Sequence, residues 1–554
     1  MGLNISGLFP AGKRFLYLWW IFGAGWIGCS HPGSGNKQVF RYNQEEGIGT
    51  LDPAFAKNIA IIWAAHQLYN TLVETDSALR LVPCLATRWT VSPDHRTYTF
   101  HLRTDVRFQD DPCFPGGKGR SFTAADVVYS FERLADPVTA SSGAWVFNGR
   151  IDPAGGFRAL DDSTFQLTLL KPFRPILGAL STAYCSIVPR EAITRYGREF
   201  RSHPVGTGPF RMESWDEGQA LILVRNPHYW EKDSGGRALP YLDAVKISFL
   251  DSKATEFLQF LQGGLDMVNN IDPSYKDEIL TKRGTLKPEW TGKIVLSRHP
   301  QLDIEYLGIL VDPNSPLTRA SPLRLKQVRQ AINLAIDRRK MLLYLRNSIG
   351  LPAESGFVPA GLPVFDPVNV PGYRYNPDSA RKLLTRAGFG ADRPVTGIRL
   401  VTIPTYADLA SFVASQCQEV GIDVQVEVVQ KSLLLQETAK SDVSFFKASW
   451  VADYPDAENF LSVFYSKNPA PPNYTRFSNP DFDALYEKSL AEDNDSLRKN
   501  QENAMDRIII EEAPVVPLWY DEALRLVQPS VVGLEPNGLN LLELRRVRKV
   551  YANN

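Results

Sequence analysis

Residues 85–133, LATRWTVSPDHRTYTFHLRTDVRFQDDPCFPGGKGRSFTAADVVYSFER, constrain the fold more tightly than any other part of the chain. From Thr97 the pattern has a period of two. Tyr98, Phe100 and Leu102 fall on one face and Thr97, Thr99 and His101 on the other, which predicts a half-buried strand. A polar, Gly-rich turn follows. Thr123 then precedes an apolar run with Asp126 at its third helical position, the spacing of a capping box. The stretch holds no catalytic constellation and reads as scaffold.

The remaining segments change character along the chain. VFRYN (Val39 to Asn43) opens with a strand, and STFQLTLL (163–170) alternates with Phe165, Leu167 and Leu169 on one side. PVGTGPF (204–210) reads as a tight turn feeding a strand, with glycines that can adopt positive φ and Pro209 stopping helix. Strand-like runs at 220–225 and 245–250 flank RNPHYW (225–230). Further on, Ser321-Pro322 is expected to start a long helix with Pro in its first turn, and Val328, Ile332, Ala335 and Ile336 mark its buried stripe. Asn376-Pro377 caps a second helix, which Gly388 closes. Strand segments at 398–402 and 424–428 enclose a helix at 406–420, a β-α-β unit. Asn479-Pro480 begins another helix, a further one runs over about 497–511, and 515–520 returns to strand. A β-rich half followed by an α/β half predicts two lobes of different build.

Composition excludes two broad classes. Lys plus Arg equals Asp plus Glu at 61 each, without a run of one sign, so the chain lacks the basic face that neutralises nucleic-acid phosphates. With 44 % hydrophobic and 11 % aromatic residues it is too apolar to remain disordered. At 554 residues it exceeds one compact core, and two or three domains are expected.

The N-terminus points to export. Lys13 and Arg14 precede an apolar run, Phe15 to Gly28, that is short of the about 20 residues a membrane span needs. Residues 1–28 are predicted to be a signal peptide. Trp26-Ile27-Gly28-Cys29 looks like a lipobox with Cys29 as the lipidated residue, although Trp26 stands where Leu is usual. Residues 29–37 would then be a polar tether. An ordinary signal peptide with a coincidental Cys, or an uncleaved anchor, are the other readings of the same residues. Cys84, Cys113, Cys185 and Cys417 show no CxxC spacing, and their pairing stays open.

The block "LATRWTVSPDHRTYTFHLRTDVRF" with "FTAADVVYSFERL" resembles the family 5 extracellular solute-binding proteins, the dipeptide- and oligopeptide-binding components of ABC importers. PVGTGPF, RNPHYW, VRQAINLAIDR (328–338), SARKLLTRAGF, WVADYPDAENF (450–460) and APVVPLWY (513–520) extend the resemblance, in the family's order, over nearly the whole mature chain. It implies an α/β fold of the large, two-lobed, three-domain periplasmic binding type, with a ligand cleft between the lobes. Lobe I would take 38–300 with an inserted subdomain at about 50–200, lobe II 301–525, and 526–554 would return to lobe I. Crossings are expected near 303–311 and 518–526.

Catalytic signatures are missing from the sequence. Its seven His form no HExxH, and there is no GxSxG elbow, Walker A loop or GxGxxG after a strand. Glu492-Asp493-Asn494-Asp495 lacks the Gly of a calcium loop and reads as an exposed turn capping the next helix. The expectation is a binder without cofactor or metal, and not an enzyme.

A receptor that encloses a peptide must answer its ammonium, its carboxylate and its amides. From local sequence, Asp453 before Tyr-Pro is a loop former. The resemblance instead implies that Asp453 pairs with the ligand's amino terminus and that the backbone of Ser449, Trp450 and Val451 runs beside the ligand. Lys447 would face the ligand's carboxylate or point away. Trp450 and Trp145 are candidate walls of side-chain pockets, or core, and Tyr520 is expected near the hinge. The implied role is a lipid-anchored, monomeric receptor in the periplasm or at the cell surface, passing peptides to an ABC permease and its ATPase, with no nucleic-acid partner. A nickel complex, haem, opine or oligosaccharide is the alternative cargo, and a non-transport surface receptor the alternative role.

Overall fold

Two long antiparallel strands, Val295–Ile309 and Val515–Val527, run side by side through the middle of an 11-stranded sheet and belong to both of its halves. The computed structural model describes residues 37–152, 155–272 and 275–550. The expected signal peptide, Cys29 and the tether up to Asn36 lie outside the described residues. No helix among the described residues is long and apolar enough to cross a membrane.

On one side of the central pair, Met267–Asn269 joins Val515–Val527, followed in order by Val39–Asn43, Ala244–Ser248, Ala220–Arg225 and Phe210–Asp216. On the other side, Phe445–Val451 pairs antiparallel with Val295–Ile309, and Val395–Thr402 and Ile422–Val428 add in parallel. The helix Ala407–Gln418 makes the parallel connection, as the β-α-β reading predicts. The register of Val295–Ile309 against Val515–Val527 breaks between Pro300 and Ile304. Before the break its residues pair in the first half of the sheet, and from Asp303 on they also pair with Phe445–Val451. The sheet therefore changes partners at Asp303, where the expected crossing at 303–311 begins.

The 85–133 block supplies two strands of a separate four-stranded antiparallel sheet, ordered Ala86–Val91, Thr97–Leu102, Thr164–Thr168, Phe157–Asp161. Tyr98, Phe100, Leu102, Phe165 and Leu167 are buried and pack with Phe131 of the helix Ala124–Ala135 in one continuous core. At the start of that helix the Asp126 carboxylate accepts from Thr123 N at 2.9 Å and from its hydroxyl at 3.2 Å. Residues after Asn540 return to the same core through Leu542, Leu544 and Val547.

Two local expectations need correction. Ser321-Pro322 starts only a short 3-10 turn, Pro322–Arg324, and the α-helix begins after extended Leu325, at Lys326. The glycines of PVGTGPF do not take positive φ; they are needed for close approach. A Cβ on Gly206 would lie 2.2 Å from Leu68 O, and one on Gly208 2.4 Å from Leu68 C. The four described cysteines are all free.

Candidate functional site

The lobes enclose a cleft of about 640 Å³. Its walls include the start of the helix Ile59–Leu68 with the following Tyr69 to Thr71, the 181–186 turn, the segments 269–271, 345–349 and 539–541, the central strands at Gln301, Asp303, Asp521 and Glu522, and Val451 to Asp453. The lining mixes apolar side chains such as Ile59, Ile62 and Leu539 with polar groups, including Asn58, His66, Asn70, Asn269 and Arg346.

Strand alternation sets what Phe445–Val451 presents. Lys447, Ser449 and Val451 share one face, while Ala448 and Trp450 pack on the core around Phe357 and Phe460. Ser449 and Val451 are exposed. The strand pairs with Val295–Ile309 along its length, but its other edge is bridged to Val395–Thr402 only at Phe446. Among the described residues, the edge from Lys447 to Val451 is thus without a strand partner.

Asp453 follows at the end of this edge, where the chain leaves the strand. Its side chain is exposed within the cleft and has no ion-pair partner among the described residues. Enclosure by the surrounding walls pushes its carboxyl up to about 6, against a hydrogen bond with Asn459, and the charge of Glu458 adds to the rise. Asn459 also accepts from Trp450 Nε1 at 3.0 Å, so one amide holds both residues. Four residues past Tyr454, Glu458 is saturated: it is buried and accepts from the hydroxyls of Tyr454 and Tyr486.

The other expected site residues lie around the cleft without lining it. Lys447 is buried, its ammonium paired with Glu305 and held over the Tyr406 ring at 4.4 Å, so it is not presented to a ligand. Trp450 contributes to the core with its indole N–H satisfied. Trp145 stacks on Tyr454 with ring centroids 6.0 Å apart and meets Tyr184 edge-on at 6.4 Å. It therefore stands behind the cleft wall formed by Tyr184 and Asp453. Tyr520 is buried next to the strand switch and donates its hydroxyl to Gly356 O at 2.7 Å.

The sequence reading missed Asp303, Asp521 and Arg346. Arg346 donates to Asp521 at 2.8 Å and lies over the Trp519 ring at 4.4 Å. A usable signal existed in LDIEYLGIL (302–310), where Asp303 and Glu305 put two carboxylates on one face of an otherwise apolar strand.

Comparison with known proteins fits this geometry. Residues 80–472 match the family model described as bacterial extracellular solute-binding proteins, family 5 Middle. The chain belongs to that family. The periplasmic oligopeptide-binding protein OppA of Salmonella typhimurium is 28 % identical over 537 residues, covering 93 % of each chain. Heme-binding protein A of Haemophilus influenzae is 26 % identical over 488 residues, covering 85 % of this chain and 84 % of that one. Among solved structures, the ABC transporter-associated periplasmic binding protein DppA from Helicobacter pylori, in complex with the peptide STSA, superposes with a TM-score of 0.74 at 26 % identity. The match covers 92 % of this chain and 98 % of that one. The family and its fold make this a substrate-binding protein of the two-lobed type.

Proposed function

We propose that this chain captures peptides in the interlobe cleft and delivers them to an ABC permease and its ATPase, working as a monomer held to a bacterial membrane by lipid on Cys29. The observation that carries the peptide reading is Asp453, a carboxylate in the cleft that, among the described residues, has no cation of its own and stands at the end of an unpaired strand edge. An ammonium supplies the missing charge, and the free edge from Lys447 to Val451 offers backbone groups to the ligand's amides whatever its side chains. The lobes hinge about the central strands and close on a ligand that touches both. The peptide binders among the relatives support this cargo; the heme binder keeps haem in the test.

The test is calorimetry with Ala-Ala-Ala, its N-acetyl derivative and haem. Tight binding of the free peptide with at least tenfold loss on acetylation supports the reading. Equal affinity for both peptides removes Asp453 from amine recognition, and binding of haem alone removes peptides altogether. Labelling of the expressed protein with a radioactive fatty acid, lost in Cys29→Ser, checks the anchor.

A further inference from the structure

Asp303 lies at the strand switch, where Val295–Ile309 passes from one half of the sheet to the other. It borders the cleft, is only 7 % exposed, and its Oδ1 has no hydrogen-bond partner. Glu305 and Asp521 lie beside it, each offering a carboxylate oxygen, with the three oxygens within 4.8 Å of one another.

Their neighbours do not answer all three charges. Glu305 is taken by Lys447 and by the Tyr406 hydroxyl at 2.9 Å, and Asp521 by Arg346. Nearby Glu522 holds Arg298 and Gly350 N, and the Lys276 ammonium donates to Leu345 O at 2.6 Å. Among the described residues Asp303 has no ion pair of its own, and its buried Oδ1 has no hydrogen-bond partner. Burial, reinforced by the charges of Glu305 and Asp521, raises its carboxyl well above the ordinary range. A buried carboxylate in that condition calls for a cation or a proton.

A metal ion fits poorly, because it needs several carboxylate oxygens at once and Lys447 and Arg346 already occupy two of the three carboxylates. An organic cation entering from the cleft needs only Asp303. In register Asp303 is opposite Val451, and Ala452 N donates to Leu302 O at 2.8 Å, so Asp303 borders the same cavity as Asp453, one strand across. We propose that Asp303 receives a second positive charge on the cargo, a Lys or Arg side chain of a peptide whose amino terminus is held by Asp453. This rests on the peptide reading of the cleft and adds a preference for basic peptides.

The test is calorimetry on the mature protein with Ala-Ala-Ala and with variants carrying Lys, or its uncharged isostere norleucine, at each position. Wild type is expected to bind the best Lys peptide at least tenfold tighter than its norleucine counterpart. Asp303→Asn should cut that ratio below threefold while Ala-Ala-Ala stays within threefold of wild type, and Asp303→Glu, which keeps the charge, should retain much of the preference. Thermal unfolding of each variant checks folding. A ratio near one in wild type, or a ratio that survives Asp303→Asn, overturns the proposal while leaving peptide capture standing. Failure of every peptide, Ala-Ala-Ala included, breaks the peptide reading and this site with it. Calcium or manganese binding without peptide, abolished in Asp303→Asn, overturns it in favour of a metal site.

Discussion

Asp126 and Asp453 are both aspartates crowded by protein, and the fold treats them in opposite ways. Asp126 is 3 % exposed and fully engaged: it accepts from Thr123 and takes Arg120 through two nitrogens, at 2.6 and 2.8 Å. Asp453 opens on the cleft and pairs with no cation among the described residues. A saturated carboxylate has no capacity left for a ligand, so its work is to hold a helix start in place. An unsaturated one beside a cavity is poorly served by the empty protein and well served by a guest. The difference lies in partners, since the residue type is the same.

The largest effect that can break this contrast is on binding. Asp453→Ala should weaken a free-amine peptide by about 2–5 kcal/mol, the range for removing one partner of a desolvated charge pair, while the melting temperature stays near wild type. Calorimetry that returns wild-type affinity would show that Asp453 is as idle toward ligand as Asp126.

Acid should sharpen the same contrast without a substitution. With its carboxyl at about 6, Asp453 is charged above that pH and neutral below it. An ammonium binds the charged form, so peptide affinity should fall as pH drops through about 6, approaching tenfold per unit, the equivalent of about 1.4 kcal/mol. Its stability linkage has the opposite sign. A carboxyl raised in the folded state contributes stability that is fully present below the unfolded range and lost as pH rises through about 6. Affinity and this part of the stability therefore run in opposite directions with pH. Parallel profiles of peptide affinity in wild type and Asp453→Asn over pH 5–8 would remove Asp453 as the titrating group.

What could be read from the sequence follows the same division. The Thr97–Leu102 alternation, the Thr123/Asp126 cap, the Asn376 and Asn479 caps and the β-α-β unit are local patterns whose causes lie within a few residues, and each stands in the structure. Gly206 and Gly208 read locally as turn residues, but the demand on them comes from the backbone of Leu68, far away in sequence. The cleft was less legible still. Whether Lys447 faces a ligand or an internal acid depends on Glu305, contributed by another strand 142 positions away. Trp145 owes its place to Tyr454, and Asp303 to the meeting of two crossing strands. Residue types were visible, but the state of their partners was not.

Removing the saturated member of the pair should act on the scaffold alone. Asp126→Ala deletes a cap and one of two carboxylates on Arg120, which keeps Glu191 at 2.6 Å. The expected loss is about 1–2 kcal/mol of stability, read as a shifted denaturant midpoint at unchanged slope. Peptide affinity should be unchanged. A variant of normal stability that binds peptide poorly would put Asp126 on the functional side and dissolve the contrast.

The smallest effect belongs to a contact that neither aspartate makes. Away from the residues that line the cleft, Arg174 N donates to Leu490 O at 3.0 Å, and its guanidinium reaches Glu492 O at 2.8 Å and the Asp495 carboxylate. His95 meets Asp493 at 2.7 Å in the same turn. Asp495 is 87 % exposed on its side chain, so solvent screens the pair and each such bond is worth about 0–1 kcal/mol. These bonds tie His95 and Arg174 to the 490–495 turn, and under the proposed hinge motion, with 38–300 and 301–525 as the moving parts, opening the cleft would break them. Arg174→Ala should therefore leave peptide association rates unaltered and raise the dissociation rate up to about fivefold, within about 1 kcal/mol. Stopped-flow kinetics separates the two rates. A slower association instead would place Arg174 in the encounter with ligand, and no change in either rate would mean that closure is held by the ligand itself, through the charge that Asp453 leaves unanswered.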